Sequence, residues 1–373
     1  MRPANILQLG GKELRSLLRD PVMLVLIVYA FTVSIYSAAT AMPETLHKAP
    51  IAVVDEDRSQ LSQRLIDALY PPHFKPPVLI TQKEMDSRMD AGFDTFALDI
   101  PPNFQRDVLA GRSPAIQLNV DATRMSQAFT GSGSIQAIIA SEVDAFLRGY
   151  RVNHEPGVAL ALRARFNPQL NKAWFGGVME LINHITMLAI VLTGAALLRE
   201  REHGTVEHLL VMPVTPFEIM ASKVCSMALV VLAAATCSLL VVVQGALGVP
   251  IEGSIPLFLA GALLHLFATT SLGIFLGALA RSMPQFGLLA MLVLMPLQIL
   301  SGSVTPRESM PGVVQFIMLA APDTHFVILS QAILYRGAGF GVVWPQFVSL
   351  AVIGAALFAF SLARFRKTLA TLA

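Results

Sequence analysis

Charged residues and cysteines are scarce in this sequence of 373 residues. Only 14% of the residues are charged, against 54% that are hydrophobic, whereas soluble domains carry about 25% charged residues. The two cysteines, Cys225 and Cys237, fall in one apolar run, so a disulfide framework is excluded and free thiols in the core are expected. The formal net charge of +2 gives no basis for a nucleic-acid partner. These shortages exclude an ordinary soluble chain.

Phosphate-binding and metal-binding motifs are also lacking. No G-x-x-x-x-G-K-[ST] stretch occurs, and the lone Gly11-Lys12 pair is followed by Glu13, so the chain lacks the loop that cradles nucleotide phosphates. The charged part of the chain has neither clustered metal ligands nor a nucleophile next to a base. We therefore expect that this chain binds no cofactor and is not itself an enzyme.

Long apolar runs dominate what is present. A membrane-crossing helix needs about 20 apolar residues, and five of six runs reach that length comfortably. The runs lie near 21–41, 174–198, 219–245, 255–280, 286–301 and 344–363, of which 286–301 is short. The sequence therefore predicts a polytopic α-helical membrane protein, with its first transmembrane helix at 21–41 and helices two to six within 174–373.

Lysine and arginine in short loops predict the orientation, because they accumulate on the cytoplasmic side. With the N-terminus inside, the outer loops carry only Arg307 and Arg336. The inner side carries Arg2, Lys12, Arg15, Arg19, Arg199, Arg201, Lys223, Arg281, Arg364, Arg366 and Lys367. We expect both termini to lie in the cytoplasm. The alternative for the first run is a signal peptide cleaved at Ala39-Thr40-Ala41, but the length of the run favours an anchor.

Residues 1–20 precede the first span and are rich in both leucine and basic residues. Ile6, Leu7, Leu14, Leu17 and Leu18 alternate with basic side chains at helical spacing. This pattern is typical of an amphipathic helix on the inner membrane surface, with a bend at Gly10-Gly11. An irregular basic tail is the alternative.

Residues 42–173 read as a water-soluble periplasmic domain of α/β class. The stretch 44–172 holds 29 of the 52 charged residues. Short β-rich runs at 51–55, 77–81, 93–100 and 115–122 alternate with helical patterns at 58–70, 81–91 and 124–152. We expect Asp57 with Gln60, and Thr81 with Glu84, to cap the first two helices. In the third run we expect Phe93, Thr95, Ala97 and Asp99 to face inward. The domain is interpreted as a docking or lid domain, and an active site hidden in it is the alternative.

The loop at 199–218 is unusually elaborate for a connection between two spans. Gly204 breaks the preceding helix and Thr205 caps a new one, in which Val206, Leu209 and Leu210 lie opposite Glu207 and His208. Pro213 ends it, and Thr215-Pro216-Phe217-Glu218 is a capping box that starts the third span. A two-turn helix is marginal alone, so it needs a surface, which is either its own membrane or another protein.

This loop resembles the coupling loop of ABC-2 type permeases, the membrane subunits of ATP-binding-cassette exporters, and in particular a bacterial inner-membrane subgroup. The pattern E-x-E-x-G-T-x-E-x-L-x-x-x-P matches at Glu200, Glu202, Gly204, Thr205, Glu207, Leu209 and Pro213. In that family the loop enters a cleft of a separate ATPase subunit, which binds ATP and magnesium. The resemblance implies that Leu210 and these residues contact such a partner.

The region after the fifth span resembles a second signature of the same family. It matches at Pro296, Ser301, Gly302, Pro306, Met310, Pro311, Gln315, Pro322, His325 and Phe326. The family places re-entrant helices at the outer gate, here 302–326, where irregular backbone is tolerated only when protein or a water cavity covers it. An ordinary amphipathic outer loop is the alternative.

Glu180, His184 and His265 stand out among the titratable residues of the apolar runs. Glu180 and His184 lie four residues apart in the second span and can share a proton or a hydrogen bond, which makes them functional candidates. An interfacial pair with a structural role is the equally favoured alternative. His265 in the fourth span is interpreted as a packing histidine whose hydrogen bonds are satisfied.

The sequence therefore predicts the permease subunit of an ATP-driven exporter, working as a dimer with a second copy or a related permease. The resemblance also implies a periplasmic membrane-fusion adaptor and an outer-membrane channel as further partners. Two rival interpretations are a proton-coupled secondary transporter using Glu180 and His184, and a non-transporting receptor or scaffold. No internal hydropathy repeat, which secondary transporters usually have, is evident.

Overall fold

The computed structural model describes residues 3–41, 48–121, 125–149, 172–202, 214–305 and 307–370, without the side chains of 125–130, 172 and 368–370. The chain divides into two compact units. One is formed by residues 1–42 and 164–373, and the other by residues 43–163.

The first unit contains helix α1 (Pro3–Leu18) and six helices that are long and apolar enough to cross a membrane. Spans one to six are Pro21–Ala41, Ala173–Glu202, Pro216–Ala246, Ile255–Leu279, Met283–Leu300 and Phe340–Lys367. All six apolar runs are thus confirmed as helices. Span five, with 18 residues, is the shortest.

Capping residues at the start of four spans explain where these helices begin. Asp20, Thr215, Ser254 and Ser282 are N-caps whose side-chain oxygens accept backbone N–H groups of the first turn, and a proline follows within two residues. Such caps satisfy amides that have no partner inside the helix. The predicted capping box of Thr215 and Glu218 is confirmed.

Spans two and four pack backbone against backbone through glycines. A Cβ atom at Gly273 would lie 2.7 Å from the Ile190 carbonyl oxygen, and one at Gly277 would lie 3.0 Å from the Gly194 oxygen. Gly273 and Gly277 form the G-x-x-x-G spacing that allows two membrane helices to approach closely. These two spans therefore form one tightly packed pair.

Helix α1 packs on span three through a face that contains one of the predicted apolar residues, Leu17. Its buried residues are Gly10, Glu13 and Leu17, whereas Leu7 and Leu18 are exposed. The predicted bend at Gly10-Gly11 is wrong, because the helix is continuous. Gly10 instead permits a close approach, since a Cβ atom there would lie 2.8 Å from Ser226 Oγ.

Two spans contain turns of π-helix, at Ala30–Ser34 in span one and at Leu239–Ala246 in span three. The two spans meet there, because Ser238 Oγ donates a 2.5 Å hydrogen bond to the carbonyl oxygen of Phe31. The cysteines of span three are both free and exposed. The expectation that these thiols lie in the core is therefore wrong.

The second unit is an α/β unit with a four-stranded sheet in the order β2-β1-β3-β4. Strand β1 (Ile51–Asp55) pairs in parallel with β2 (Val78–Leu79) and β3 (Phe96–Ile100), and β4 (Gln117–Val120) runs antiparallel to β3. The helices are α2 (Gln60–Ala68), α3 (Gln82–Asp90), α4 (Phe104–Leu109) and α5 (Met125–Arg148). Helices α2, α4 and α5 cover one face, and Met85 of α3 packs on the other.

Two local predictions in this unit are wrong. The N-cap of α2 is Ser59, in a capping box with Ser62, while Asp57 Oδ2 accepts the Gln105 backbone N–H. Phe93 does not face inward, because it is 65% exposed and β3 begins only at Phe96. Strand β3 is buried on both faces since helices cover both sides of the sheet, so no alternation is needed. The capping box of Thr81 with Glu84 is confirmed.

Two short helices follow span five. Helix α6 (Gly312–Met318) and helix α7 (Pro322–Leu334) meet at an angle of 89°. Pro322 begins α7, and His325 Nε2 lies 2.9 Å from the Leu319 carbonyl oxygen at the end of α6. The bend is therefore held by a hydrogen bond across it.

Candidate functional site

A group of charged side chains surrounds the last turn of span two, and we call it the Arg199 cluster. Its members are Lys12, Glu13, Asp20, Arg199, Glu200, Arg201, Glu202 and Lys223. The centre is Lys223 of span three, which is 1% exposed. Its Nζ lies 2.7 Å from Glu13 Oε1 of α1 and 2.8 Å from Glu200 Oε2 of span two. A buried ammonium between two carboxylates satisfies charge that would otherwise be very costly to bury.

Electrostatics differ between the buried and the exposed edges of this cluster. Burial raises the pKa of Glu13 above its usual 4.5, although the Lys223 ammonium opposes that effect. At the more exposed edge, Lys12 Nζ lies 2.9 Å from Glu200 Oε1. Burial lowers the pKa of Lys12, but its contact with Glu200 outweighs burial and leaves that pKa raised.

Arg199 connects span two to the start of span one. Its Nη1 lies 2.5 Å from Asp20 Oδ2, while Asp20 Oδ1 accepts the N–H groups of Val22 and Met23. Burial raises the pKa of Asp20, but these hydrogen bonds and the Arg199 guanidinium together lower it below 3.8. Asp20 is therefore both the cap of span one and its tie to span two.

Arg201 and Glu202 reach spans four and five. Arg201 Nη1 donates a 2.9 Å hydrogen bond to the Ala280 carbonyl oxygen, where span four ends. Glu202 Oε1 accepts a 2.9 Å hydrogen bond from the backbone N–H of Met283, where span five begins. Each charge has the sign that suits the helix end it contacts, since a cation stabilises a C-terminus and an anion an N-terminus.

Four consecutive residues, Arg199 to Glu202, thus join the end of span two to α1 and to the ends of spans one, three, four and five. Glu200 and Glu202, predicted to contact an ATPase, make contacts within their own chain. The other predicted coupling residues follow directly in sequence. Gly204, Thr205, Glu207, Leu209, Leu210 and Pro213 lie outside the described residues.

The predicted intramembrane pair is only loosely associated. His184 Nε2 lies 3.6 Å from Glu180 Oε1, which is too long for a hydrogen bond. Its closer partner is Ser34 Oγ in the π-turn of span one, at 2.9 Å. The side chain of Glu180 is 31% exposed.

A second intramembrane group joins three helices and includes residues that the sequence analysis did not single out. Thr186 Oγ1 of span two donates a 2.6 Å hydrogen bond to Asp323 Oδ1 of α7 and lies 2.8 Å from His265 Nε2 of span four. Nε2 of His265 thus has polar partners, whereas its Nδ1 atom has none among the described residues, so the interpretation as a satisfied packing histidine holds for one ring nitrogen only. Asp323 could have been singled out from the sequence, because it is a lone carboxylate beside Pro322 in an apolar stretch.

The predicted outer-gate residues fall in three places. Pro296 lies inside span five, and Ser301 contacts Ser303 in the turn that follows, where Gly302 has φ of +101°. Met310, Pro311 and Gln315 lie at the start of α6, where Gln315 Nε2 donates to the Met310 carbonyl oxygen. Pro306 lies outside the described residues.

Phe326 belongs to the core and not to a surface. It is fully buried, and its ring stacks on His265 at a centroid distance of 4.2 Å and on Phe258 at 5.8 Å. Pro322 is also buried. The predicted outer-gate segment 302–326 is therefore packed on span four where it enters α7.

No group of three or more side chains placed to hold a metal ion occurs in the described part of the chain. The charges of the Arg199 cluster contact helix ends and one another, and they connect the end of span two to its neighbours.

Comparisons with known proteins agree with this architecture. Residues 22–363 match the family described as ABC-2 family transporter protein. The chain is 66% identical to the inner membrane transport permease YhhJ of Escherichia coli K12, over 99% of both chains. It is 27% identical to the probable multidrug ABC transporter permease YbhR of the same organism, over 95% of this chain and 96% of the relative. A further relative, the probable multidrug ABC transporter permease YbhS, is 24% identical over 87% of both chains.

A family match over most of the chain, together with six described helices that are long and apolar enough to cross a membrane, shows a multi-pass transporter subunit of the inner membrane. Members of this family work in general with an ABC ATPase, and their membrane subunit is not an enzyme. This chain belongs to the ABC-2 family of transporter proteins.

Proposed function

We propose that this chain is the permease subunit of an ATP-driven exporter and that residues 203–213 engage a separate ATPase subunit, which holds ATP and magnesium. The observation that carries this proposal is the Arg199 cluster. It joins the residues directly before that segment to α1 and to four other spans. A loop that served only to reverse the chain would not need these contacts.

The packing suggests how displacement of the loop would travel. Spans two and four are in backbone contact at Gly194 and Gly277, so they move together. Thr186 and His265, which lie on these two spans, contact Asp323 at the start of α7. A pull on the end of span two would therefore reach α7 through groups that are already hydrogen-bonded.

The bent pair α6–α7 is proposed to be re-entrant and to form the outer gate. The 89° bend and the exposed apolar side chains Val313, Phe316 and Ile317 on α6 support this role. The distribution of lysine and arginine in the short loops supports an orientation with both termini in the cytoplasm and the α/β unit in the periplasm. There the unit would cap the exit or dock a membrane-fusion adaptor that leads to an outer-membrane channel. Two copies, or one copy with a related permease, would enclose the pathway.

The cargo is proposed to be small molecules, because two relatives are named multidrug permeases. A proton-coupled mechanism remains the rival, since Glu180 and His184 are within ion-pair distance. A variant with Glu180→Gln and His184→Ala separates the two. Loss of dye efflux in that variant, with ATP hydrolysis by the complex intact, would favour the rival, whereas unchanged efflux would remove it.

Co-purification tests the proposal directly. The chain is co-expressed with an ABC ATPase subunit, extracted in detergent and assayed for ATP hydrolysis. We expect the ATPase subunit to be retained and then lost on Glu207→Lys with Leu210→Asp, because these changes reverse the charge and the polarity of two side chains of the proposed coupling segment.

The matched control is Asp86→Lys with Leu109→Asp, which makes the same chemical changes at exposed positions of the α/β unit. Retention of the ATPase by both variants would refute the assignment of the coupling loop. Transport without any ATPase subunit would refute the function, and failure of the wild-type chain to bind any ATPase would favour a receptor or scaffold.

A further inference from the structure

The α/β unit contains a groove of about 750 Å³ on the face of its sheet that α2, α4 and α5 cover. Its floor is formed by Leu98 of β3 and Leu118 of β4, and its walls by α4 and α5. The other two described cavities, at the Arg199 cluster and near Tyr335, are smaller, at about 250 and 200 Å³. Small-molecule sites typically measure about 300–1,000 Å³, so the groove has the size of such a site.

The lining of the groove is mostly apolar. Large aliphatic and aromatic side chains project into it from the sheet and from both helices. They include Phe104, Val108, Ile116, Ile139 and Val143. Protein interiors are normally packed without voids of this size, and an apolar cleft with a few polar groups at its edge is the usual form of a ligand site.

One row of α5 carries two small side chains along the groove. Ser132, Gln136 and Ala140 follow one another at four-residue spacing, so they lie in one row along the helix and line the groove, and Ser132 and Ala140 leave space there. Gly111 and Ser113 line it from the α4–β4 connection. Leucine or phenylalanine at such positions would fill the space, as they do elsewhere in this core.

Two charged side chains line the groove, Arg112 and Asp144, and each has a partner of opposite charge. Arg112 Nη1 lies 3.3 Å from Asp107 Oδ1, which also contacts Arg106, and Asp144 Oδ1 lies 3.0 Å from Arg148 Nε. A charged ligand would have to compete with these existing partners. An uncharged or zwitterionic ligand would instead bury apolar surface against the lining at a gain of about 25 cal/mol per Å².

We propose that this groove binds an uncharged or zwitterionic apolar small molecule, which makes the α/β unit a ligand-binding unit as well as a docking element. The proposal rests on the proposed function only in taking the bound molecule to be cargo. Binding itself needs neither ATP nor the ATPase subunit.

Photolabelling of the full chain in lipid nanodiscs tests the proposal. The probe is an uncharged alkyl-aryl diazirine, and labelled peptides are quantified by mass spectrometry. The lipid-facing spans also react with such a probe, so their labelling reports a folded, inserted chain in every sample. We expect saturable labelling of the peptides that carry α4 and α5, reduced by competition with an unlabelled apolar analogue.

Ala140→Phe should fill the groove and reduce the labelling of these peptides about tenfold, equivalent to ~1.4 kcal/mol of binding energy. Ala137→Phe is the matched control, since Ala137 is exposed on the same helix and does not line the groove. It should label like the wild type. A carboxylate-bearing diazirine of the same size should label these peptides less than the uncharged probe.

Equal groove labelling in Ala140→Phe and Ala137→Phe, or labelling that does not saturate, would overturn the proposal. So would a cross-link between two copies of the chain at α5, because the groove would then be an interface. ATPase co-purification is measured separately on the same variants. Loss of this co-purification would contradict the proposed function, whereas the proposal of a ligand site would be unaffected.

Discussion

Lys223 shows at the level of a single residue how the Arg199 cluster depends on pairing. Its ammonium lies within 2.8 Å of carboxylate oxygens of both Glu13 and Glu200. Lys223→Met keeps the length of the side chain but leaves both carboxylates without their buried counter-charge. Removing one partner of a buried ion pair costs about 3–5 kcal/mol. We expect a clearly lower midpoint of thermal unfolding, measured in detergent by loss of the monodisperse peak.

The matched control is Lys12→Met, which removes a cation from the same Glu200. Because the Lys12 side chain is 52% exposed, this change should cost less than about 1 kcal/mol. A pH series adds a second readout. Burial already raises the pKa of Glu13 above 4.5, and loss of the ammonium raises it further. The folded variant then takes up a proton more readily than the unfolded chain, so its deficit should shrink as the pH falls toward 4.5. A deficit that grows on acidification would contradict this assignment.

At the scale of elements, glycine contact between spans two and four makes a prediction about helix packing. A Cβ atom at Gly273 would meet the backbone of Ile190 at 2.7 Å, and a backbone atom cannot rotate away. Gly273→Val should therefore separate the two spans and lower the midpoint of thermal unfolding. Gly287→Val in span five is the control, because a Cβ atom there meets nothing within 4 Å. If both variants unfold at the same temperature, close packing at Gly273 contributes nothing.

Elements were predictable from sequence wherever the signal is local. The capping boxes at Thr81 and Thr215 were read correctly because a cap and its partner lie three residues apart. The role of Gly10 was predicted wrongly. A glycine that weakens a helix also permits close contact with another helix, and here that helix lies more than 200 residues away in sequence. The predicted cap at Asp57 was wrong for a related reason. The Asp57 carboxylate accepts the N–H group of a distant residue, and Ser59 is the N-cap of α2.

At the scale of the whole molecule, the Thr186 hydroxyl is the junction between spans two and four and α7. Thr186→Val should leave Asp323 without its donor, at a cost of about 1–3 kcal/mol. We expect the ATPase subunit to co-purify as before while efflux of an apolar dye such as Nile red falls at equal protein level. The control is Thr193→Val on the same span, because the buried Thr193 hydroxyl bonds, within the described part of the chain, only the Ala189 carbonyl of its own helix. Equal efflux in the two variants would exclude Thr186 from the path.

The whole-molecule sites were the least predictable from sequence. The charges of the loop suggested coupling, but nothing local indicated that Arg199 to Glu202 would each find a different helix. Hydropathy registers His265 as an isolated polar residue in one apolar run. Its meaning changes only when Asp323 and Thr186, which lie 58 and 79 residues away in sequence, come within hydrogen-bonding distance.

The π-turn of span one has a consequence for how this helix presents its surfaces. One additional residue in a turn rotates everything beyond it by about 100° relative to a regular α-helix. Ile35 and Ala39, which follow the π-turn, owe their buried orientation to that extra residue. Deleting a single residue between Ala30 and Ser34 would swing these side chains away from span two and part Ser34 from His184. One residue in the π-turn therefore sets which side of span one faces its neighbours, from that turn to the end of the helix.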